Sequence, residues 1–213
     1  MRFPAPLVPG TLLLREKRFL AHVRLDSGEE VVAHTNNSGR MTGCSAPGSR
    51  VWLSPADRPG RKLKWTWELV EVAPGVLAGI NTILPNKLVA ELVAAGRVGE
   101  LGAGWTIRPE ARFGEERSRV DLLLSRGDER VWLEVKNVTL VRDGAAAFPD
   151  APTERGRKHL RELSRMVAAG DRAMLFYVVQ RSDAVEVGPA DDIDPAYGNA
   201  LRNAMDAGVE VVS

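Results

Sequence analysis

Between residues 11 and 72 apolar and polar positions alternate in short runs, each ended by turn-forming residues. The runs cover 11–14, 18–25, 30–34, 50–54 and 62–72. Asp26-Ser27-Gly28, Asn36-Asn37-Ser38-Gly39, Ala46-Pro47-Gly48-Ser49 and Asp57-Arg58-Pro59-Gly60 separate them. A period of two marks a half-buried strand, and Gly, Pro, Asn and Asp supply turns. No helical period interrupts this region. Five short strands in such a length predict a small barrel, and an OB fold fits the count.

The last run carries a second signal. Leu63, Trp65 and Trp67 fall on one face, with Lys62, Lys64, Thr66 and Glu68 on the other. OB domains grip single strands with aromatic platforms in basic grooves. Here aromatics and lysines point oppositely, so the tryptophans are expected to fill the core. Arg61, Lys62 and Lys64 stay as candidates for contact with nucleic-acid phosphates.

Beyond Pro74-Gly75 the pattern changes, which places a joint there between a domain of residues 1–74 and one of 75–213. Pro85 opens a helix that Gly96 ends, with Leu88, Val89, Leu92 and Val93 as its apolar stripe. A strand is expected over 105–109. Two apolar runs, 119–124 and 130–136, flank the polar turn Ser125-Arg126-Gly127-Asp128-Glu129 and read as a hairpin. Residues 145–152 read as irregular. Thr153 is a fitting N-cap for a helix to about Gly170. The continuous apolar run 173–180 reads as a strand buried on both faces. A helix over 195–207, capped by the acidic stretch before Pro195, and a strand over 209–212 complete a three-layer α/β unit.

The hairpin is where chemistry concentrates. Glu134 and Lys136 share one strand face, and Val131, Leu133 and Val135 the other. Asp121 interrupts the first apolar strand, and a buried carboxylate needs a partner. Pairing of the strands brings Asp121, Glu134 and Lys136 together. Two carboxylates on one rigid surface repel, and Mg²⁺ (or Mn²⁺) relieves that conflict with carboxylate, water and phosphate oxygens. Such an ion activates water and neutralises phosphate charge, so the grouping suits phosphodiester hydrolysis. Glu-x-Lys by itself is usually a solvated strand face with a weak ion pair.

Longer motifs narrow the reading. Ser118-Arg119-Val120-Asp121, Glu134-Val135-Lys136-Asn137-Val138-Thr139-Leu140 and Phe148-Pro149-Asp150-Ala151-Pro152-Thr153-Glu154-Arg155-Gly156-Arg157-Lys158-His159-Leu160 resemble the sugar fermentation stimulation protein family. His34-Thr35-Asn36-Asn37-Ser38-Gly39-Arg40-Met41 and Arg61-Lys62-Leu63 extend the resemblance over essentially the whole chain. It implies an OB-like barrel followed by a restriction-endonuclease-like α/β domain of the PD-(D/E)xK kind. In that pattern Asp121, Glu134 and Lys136 match the two acids and the lysine, and the Val135 carbonyl is a further candidate metal ligand. Nucleases of this kind often carry one more acid on the helix before the first catalytic strand, which makes Glu91 and Glu116 candidates, each against a solvated surface role. The family is associated with DNA binding and with regulation of sugar-utilisation genes.

Arg155, Arg157, Lys158, His159 and Arg161 crowd the start of the helix after Thr153. Arg155 and Lys158 are candidates for the nucleic-acid backbone, although Glu154–Lys158 and Lys158–Glu162 are also ordinary i,i+4 pairs. His159, a lone histidine, reads as structural. Composition adds limits. The net charge of +1 gives no global pull toward nucleic acid, so any DNA affinity is local and salt-sensitive. Cys44 is alone, which excludes an intrachain disulfide and a cysteine-rich zinc site. No apolar run is long enough to cross a bilayer, and prolines interrupt the amino terminus as a signal peptide, so a cytoplasmic protein is expected. The absence of a glycine-rich phosphate loop counts against a nucleotide cofactor.

Two functions compete. One is a Mg²⁺-dependent nuclease acting on DNA, with RNA as the other substrate; the second is a non-catalytic DNA-binding regulator on the same scaffold. A small-molecule or protein-binding module is the weakest reading. The oligomeric state is left open, a homodimer included.

Overall fold

The computed structural model describes residues 1–56, 60–116 and 118–213. Asp57, Arg58 and Pro59 of one predicted turn, and Arg117 of another, lie outside the described residues. The first domain contains β1 (Val8–Glu16), β2 (Leu20–Leu25), β3 (Glu30–His34), β4 (Arg50–Pro55), β5 (Trp65–Ala73) and β6 (Val76–Gly79). The strands order as β3-β2-β1-β4-β5-β6, and a parallel pairing of Ala33 with Trp65 and His34 with Thr66 closes β3 onto β5. The result is a five-stranded OB barrel with β6 added outside the closure. Leu12, Ala21, Val23, Leu53, Trp67 and Val70 fill it.

Trp67 is fully buried and donates its indole N–H to the Leu69 carbonyl at 2.9 Å. The tryptophans therefore pack as expected, with Trp65 only partly buried against the same core. The opposite face of β5 departs from simple alternation, because Thr66 and Glu68 are buried too. The outgoing chain covers them: the Ile80 amide donates to the Glu68 carbonyl at 2.9 Å, and Asn81 reaches the Glu68 carboxylate.

Pro74-Gly75 is not the domain joint. Ala73 pairs with Val76, so the dipeptide is the two-residue turn of the β5–β6 hairpin, with Gly75 at φ +75°. The barrel continues through Gly79, and residues 80–83 lead into the second domain. There the two units are pressed together. A Cβ on Gly79 would meet Gln180 Oε1 at 2.2 Å, so any larger residue there would have to push the Gln180 side chain aside.

The second domain contains α1 (Leu84–Ala94), β7 (Thr106–Phe113), β8 (Ser118–Arg126), β9 (Glu129–Val138), β10 (Leu140–Arg142), β11 (Ala145–Phe148), α2 (Glu154–Ala168), β12 (Arg172–Val179), β13 (Glu186–Pro189), α3 (Pro195–Asp206) and β14 (Glu210–Val212). The main sheet runs β14-β12-β9-β8-β7, with β8 and β9 antiparallel and β9, β12 and β14 parallel. Val89 and Val93 of α1 pack on Leu122, Leu124, Leu133 and Met174. Leu160 and Leu163 of α2, with Tyr197 and Leu201 of α3, pack on Leu123, Trp132, Leu175 and Tyr177 of the other face. These are the three expected layers.

The helix caps follow the sequence. Thr153 Oγ1 accepts from the Gly156 amide at 3.0 Å, and Asp194 Oδ1 accepts from the Tyr197 amide at 3.0 Å. Residues 145–148 are not irregular: they form β11, paired with β10 and β13. Ala146 is buried there, in the same core as Leu160, Leu163, Tyr197 and Leu201. Among the described residues no helix is long and apolar enough to cross a membrane.

Candidate active site

The site forms where β8 and β9 part. Their ladder ends at Leu122 opposite Leu133. One residue further, the side chain of Asp121 replaces the missing backbone partner: Oδ2 accepts the Val135 N–H at 2.8 Å. A strand residue presents its N–H and C=O to the same neighbour, so the Val135 carbonyl faces the same gap. Asp121 Oδ1 accepts from Asn86 Nδ2 at 2.8 Å, in the first turn of α1 that Pro85 begins. Burial, and then the charge of Glu134, push the Asp121 carboxyl up to about 6.

Glu134 and Lys136 project from β9 toward α2, only 3% and 9% exposed. Lys136 Nζ donates to Glu134 Oε1 at 2.6 Å, and His159 Nδ1 meets the same oxygen. With Glu134 ionised, Nδ1 carries the proton and His159 Nε2 accepts from Arg155 Nε at 3.4 Å. Burial opposes ionisation of Glu134, but the Lys136 ammonium and the His159 bond outweigh it and hold the carboxyl below its usual range. Glu134 Oε2 is left buried without a hydrogen-bond partner.

These groups line a cleft of about 370 Å³ between the two domains. Asn37 enters it from the barrel, Asn86 from α1, Asp150 from the approach to α2 and Arg155 from its first turn. Asp121, Glu134 and Lys136 are thus brought together, as the strand pattern predicts. The other candidates disperse. Glu91 lies five residues beyond Asn86, about 140° around the helix, and pairs with the Met1 ammonium at 3.0 Å. Glu116 binds Arg161 and Arg165 of α2 at 3.2 Å each, and its backbone carbonyl takes Lys158 Nζ, so neither Glu116 nor Lys158 lines the cleft. Lys62 and Lys64 are exposed on the barrel outside it, and Arg61 donates to Thr66 Oγ1 at 2.9 Å.

Two contributors escape a reading of the sequence. Asn86 gives no signal beyond a polar residue behind a helix-opening proline. His159 reads as a lone histidine, yet its partner is Glu134, supplied by a strand 25 positions away. Among the described residues no group of three or more His, Cys, Asp or Glu side chains is placed to hold a metal ion. Two carboxylates and a carbonyl are what the gap offers.

Barrel and three-layer sheet, with paired acids and a lysine where two strands separate, define an OB domain joined to a restriction-endonuclease-like domain. Comparison with known proteins agrees. Residues 13–80 match the family model of the SfsA N-terminal OB domain, and residues 83–213 that of the sugar fermentation stimulation protein RE domain. The chain belongs to the sugar fermentation stimulation protein family. The homologue from Geobacter metallireducens is 59% identical over all of this chain and 91% of its own length; that from Geobacter sulfurreducens is 58% identical, over 90% of its length. The solved structure of Pyrococcus furiosus SfsA in complex with Ca²⁺ is 30% identical, covers 99% of this chain and 88% of its own, and superposes with a TM-score of 0.90.

Proposed function

We propose that this protein is a Mg²⁺-dependent phosphodiesterase acting on DNA, with Asp121, Glu134 and Lys136 as its catalytic residues. The observation that carries the reading is the unpartnered, buried Oε2 of Glu134 beside a second carboxylate whose ionisation is suppressed. A buried acceptor without a donor is costly. A divalent cation held by Glu134, Asp121 and the Val135 carbonyl answers both the orphaned oxygen and the repulsion, and Mg²⁺ typically binds through one or two carboxylates plus waters and phosphate. The solved complex of Pyrococcus furiosus SfsA with Ca²⁺ supports a divalent-cation site on this fold.

When bound, such an ion lowers the pKa of a coordinated water and offsets charge on the phosphate. The chain does the rest. Lys136 and His159 fix Glu134 through one oxygen, leaving the other for the cation. Asn86 and the Val135 amide fix Asp121. Lys136, at the cleft floor, and Arg155, at its mouth, oppose the negative charge of a phosphodiester.

The test is incubation of labelled DNA with purified protein in Mg²⁺, Mn²⁺ or EDTA. Metal-dependent cutting lost by at least about 1,000-fold in Asp121→Asn and Glu134→Gln is expected, the scale of removing a principal transition-state stabiliser. Undiminished cutting by those variants would reject the assignment. A non-catalytic regulator is the second reading, favoured by the exposed Lys62 and Lys64 away from the cleft. It predicts salt-steep DNA binding that survives EDTA, with no cutting in any metal.

A further inference from the structure

We infer that the cleft admits a single-stranded polynucleotide and excludes an intact duplex, so that the substrate is an unpaired strand, flap or overhang. The inference rests on the phosphodiesterase reading above and adds the form of the substrate.

The argument starts from a wall that the nuclease-like domain does not supply. The barrel segment from Asn36 to Met41 reaches the cleft through Asn37, which is in its lining. Arg15, on β1, draws this segment together: its guanidinium donates to the carbonyls of Asn37 at 2.8 Å, Gly39 at 2.9 Å and Arg40 at 3.2 Å. Within the segment, Asn37 Oδ1 accepts the Gly39 amide at 2.9 Å.

Three further bonds tie it to the opposite domain and its approach. The Met41 amide donates to Asp150 Oδ2 at 2.9 Å, the Thr82 hydroxyl to the Asn36 carbonyl at 3.2 Å, and Asn36 Nδ2 to Asn81 Oδ1 at 3.0 Å. The Met41 side chain is itself buried in the barrel core. A segment fixed at so many points is a standing wall and not a flap that swings aside.

Depth then decides what enters. The reacting groups lie on the floor, with Glu134 and Lys136 nearly wholly buried. Asn37 of the barrel lines the cleft together with Asp121, Glu134 and Lys136 of the sheet, so a strand that reaches these groups passes beside the barrel wall. A phosphate of a duplex would have to bring its complementary strand between the two walls. A single strand brings one backbone and turns its bases freely, and OB surfaces commonly feed such strands along basic tracks. Enzymes that reach a buried atom of nucleic acid act on unpaired strands or bear the cost of unpairing.

The experiment compares initial rates in Mg²⁺ on one labelled oligonucleotide as a free DNA strand, as a blunt duplex, as a duplex with a single-stranded flap, and as an RNA strand of the same sequence. In parallel, fluorescence anisotropy measures the gain in affinity on adding Ca²⁺ for each. The expected result is cutting confined to unpaired regions, the blunt duplex slower by about 100-fold, and a Ca²⁺-dependent gain restricted to substrates with an unpaired strand. The RNA arm reports which sugar is accepted.

Equal cutting of blunt duplex and single strand would overturn the inference while leaving the phosphodiesterase reading intact. No cutting, with a Ca²⁺ gain only on unpaired strands, would sink hydrolysis and keep the substrate form. No cutting and no discrimination would sink both. Arg15→Ala and, independently, Asp150→Asn loosen the wall and should shift the single-strand to duplex ratio toward one by about tenfold, in variants whose melting curves show a folded barrel. An unchanged ratio in both would also overturn the inference.

Discussion

Each domain buries one glutamate in a β-strand, and the two are treated in opposite ways. Glu68 in the barrel is 5% exposed, with Oε1 accepting the Ser54 hydroxyl at 2.6 Å and Oε2 accepting Asn81 Nδ2 at 2.8 Å. Both oxygens are satisfied, and the group ties a strand to the chain leaving the barrel. Glu134 is as deeply buried, but both its donors, Lys136 and His159, converge on Oε1, and Oε2 has none. Burial of an acid therefore does not by itself mark a site. Uneven satisfaction of its two oxygens, facing a cleft and a second acid, does.

The largest effect expected from this contrast is on stability against pH. The Asp121 carboxyl titrates at about 6 in the folded protein, against an ordinary value near 4. The folded state then binds the extra proton, so the stability Asp121 contributes is full below about pH 4 and is lost as pH rises through about 6. The loss amounts to roughly 3 kcal/mol in the metal-free protein. Urea midpoints in EDTA should fall between pH 5 and 8, Mg²⁺ should restore them increasingly toward pH 8, and Asp121→Asn should flatten both trends. A metal-free protein equally stable at pH 5 and 8 would remove the conflict between the acids.

Next comes Glu68 itself. Glu68→Ala leaves the Ser54 hydroxyl and the Asn81 amide without their shared acceptor and opens a gap in the barrel wall. A loss of about 2–3 kcal/mol is expected, with cleavage per folded molecule unchanged. Glu134→Gln should abolish cleavage, and it too costs stability, about 3–5 kcal/mol, because Lys136 is left buried without its carboxylate. Cleavage lost in folded Glu68→Ala, or retained in folded Glu134→Gln, would erase the distinction between a tie and a site.

Much of this was legible in the sequence where the signal is local. Alternation and turn residues mark the barrel strands and the hairpin, and Asp121 and Glu134 stand out because they interrupt apolar strands. Pro74-Gly75 shows where local signals stop. A Pro-Gly pair suits a linker and a hairpin turn equally, and only the pairing of Ala73 with Val76 decides. Ala145–Phe148 is a strand because β13, about 40 residues on, lies beside it. Glu91 has the right element and the wrong helix face, and the position is held by Asn86, whose value depends on where α1 docks. The same holds for His159, whose partner is fixed by packing of α2 on β9 and by no spacing along the chain.

His159 offers the next test. Its N–H helps pin Glu134 Oε1, so it is a positioning residue. His159→Leu is expected to weaken Mg²⁺ or Ca²⁺ affinity by about 10–100-fold, the usual range for a group that orients a metal ligand. His159→Asn, which can offer an N–H to the same oxygen, should recover most of it. Calorimetric metal titration measures this without any substrate. Equal loss in both variants would mean that the ring merely fills space beside Phe113, 6.2 Å away.

The smallest effect separates the barrel surface from the cleft. Lys62 and Lys64 are exposed on the barrel and line no part of the cleft, whereas Arg155 does. Each phosphate contact releases condensed counterions, so removing one lysine should lower the slope of log affinity against log salt by about 0.7 for a single strand and about 0.9 for a duplex. Lys62→Gln and Lys64→Gln are expected to change that slope and leave the rate of bound DNA cleavage untouched, because neither meets the reacting phosphate. Arg155→Gln should change both, since the same guanidinium reaches the cleft mouth and His159. The double lysine variant decides the matter. A slope unmoved by removing both charges would detach the barrel from the nucleic acid, leaving Asn37 and its segment as the barrel's whole contribution to the site.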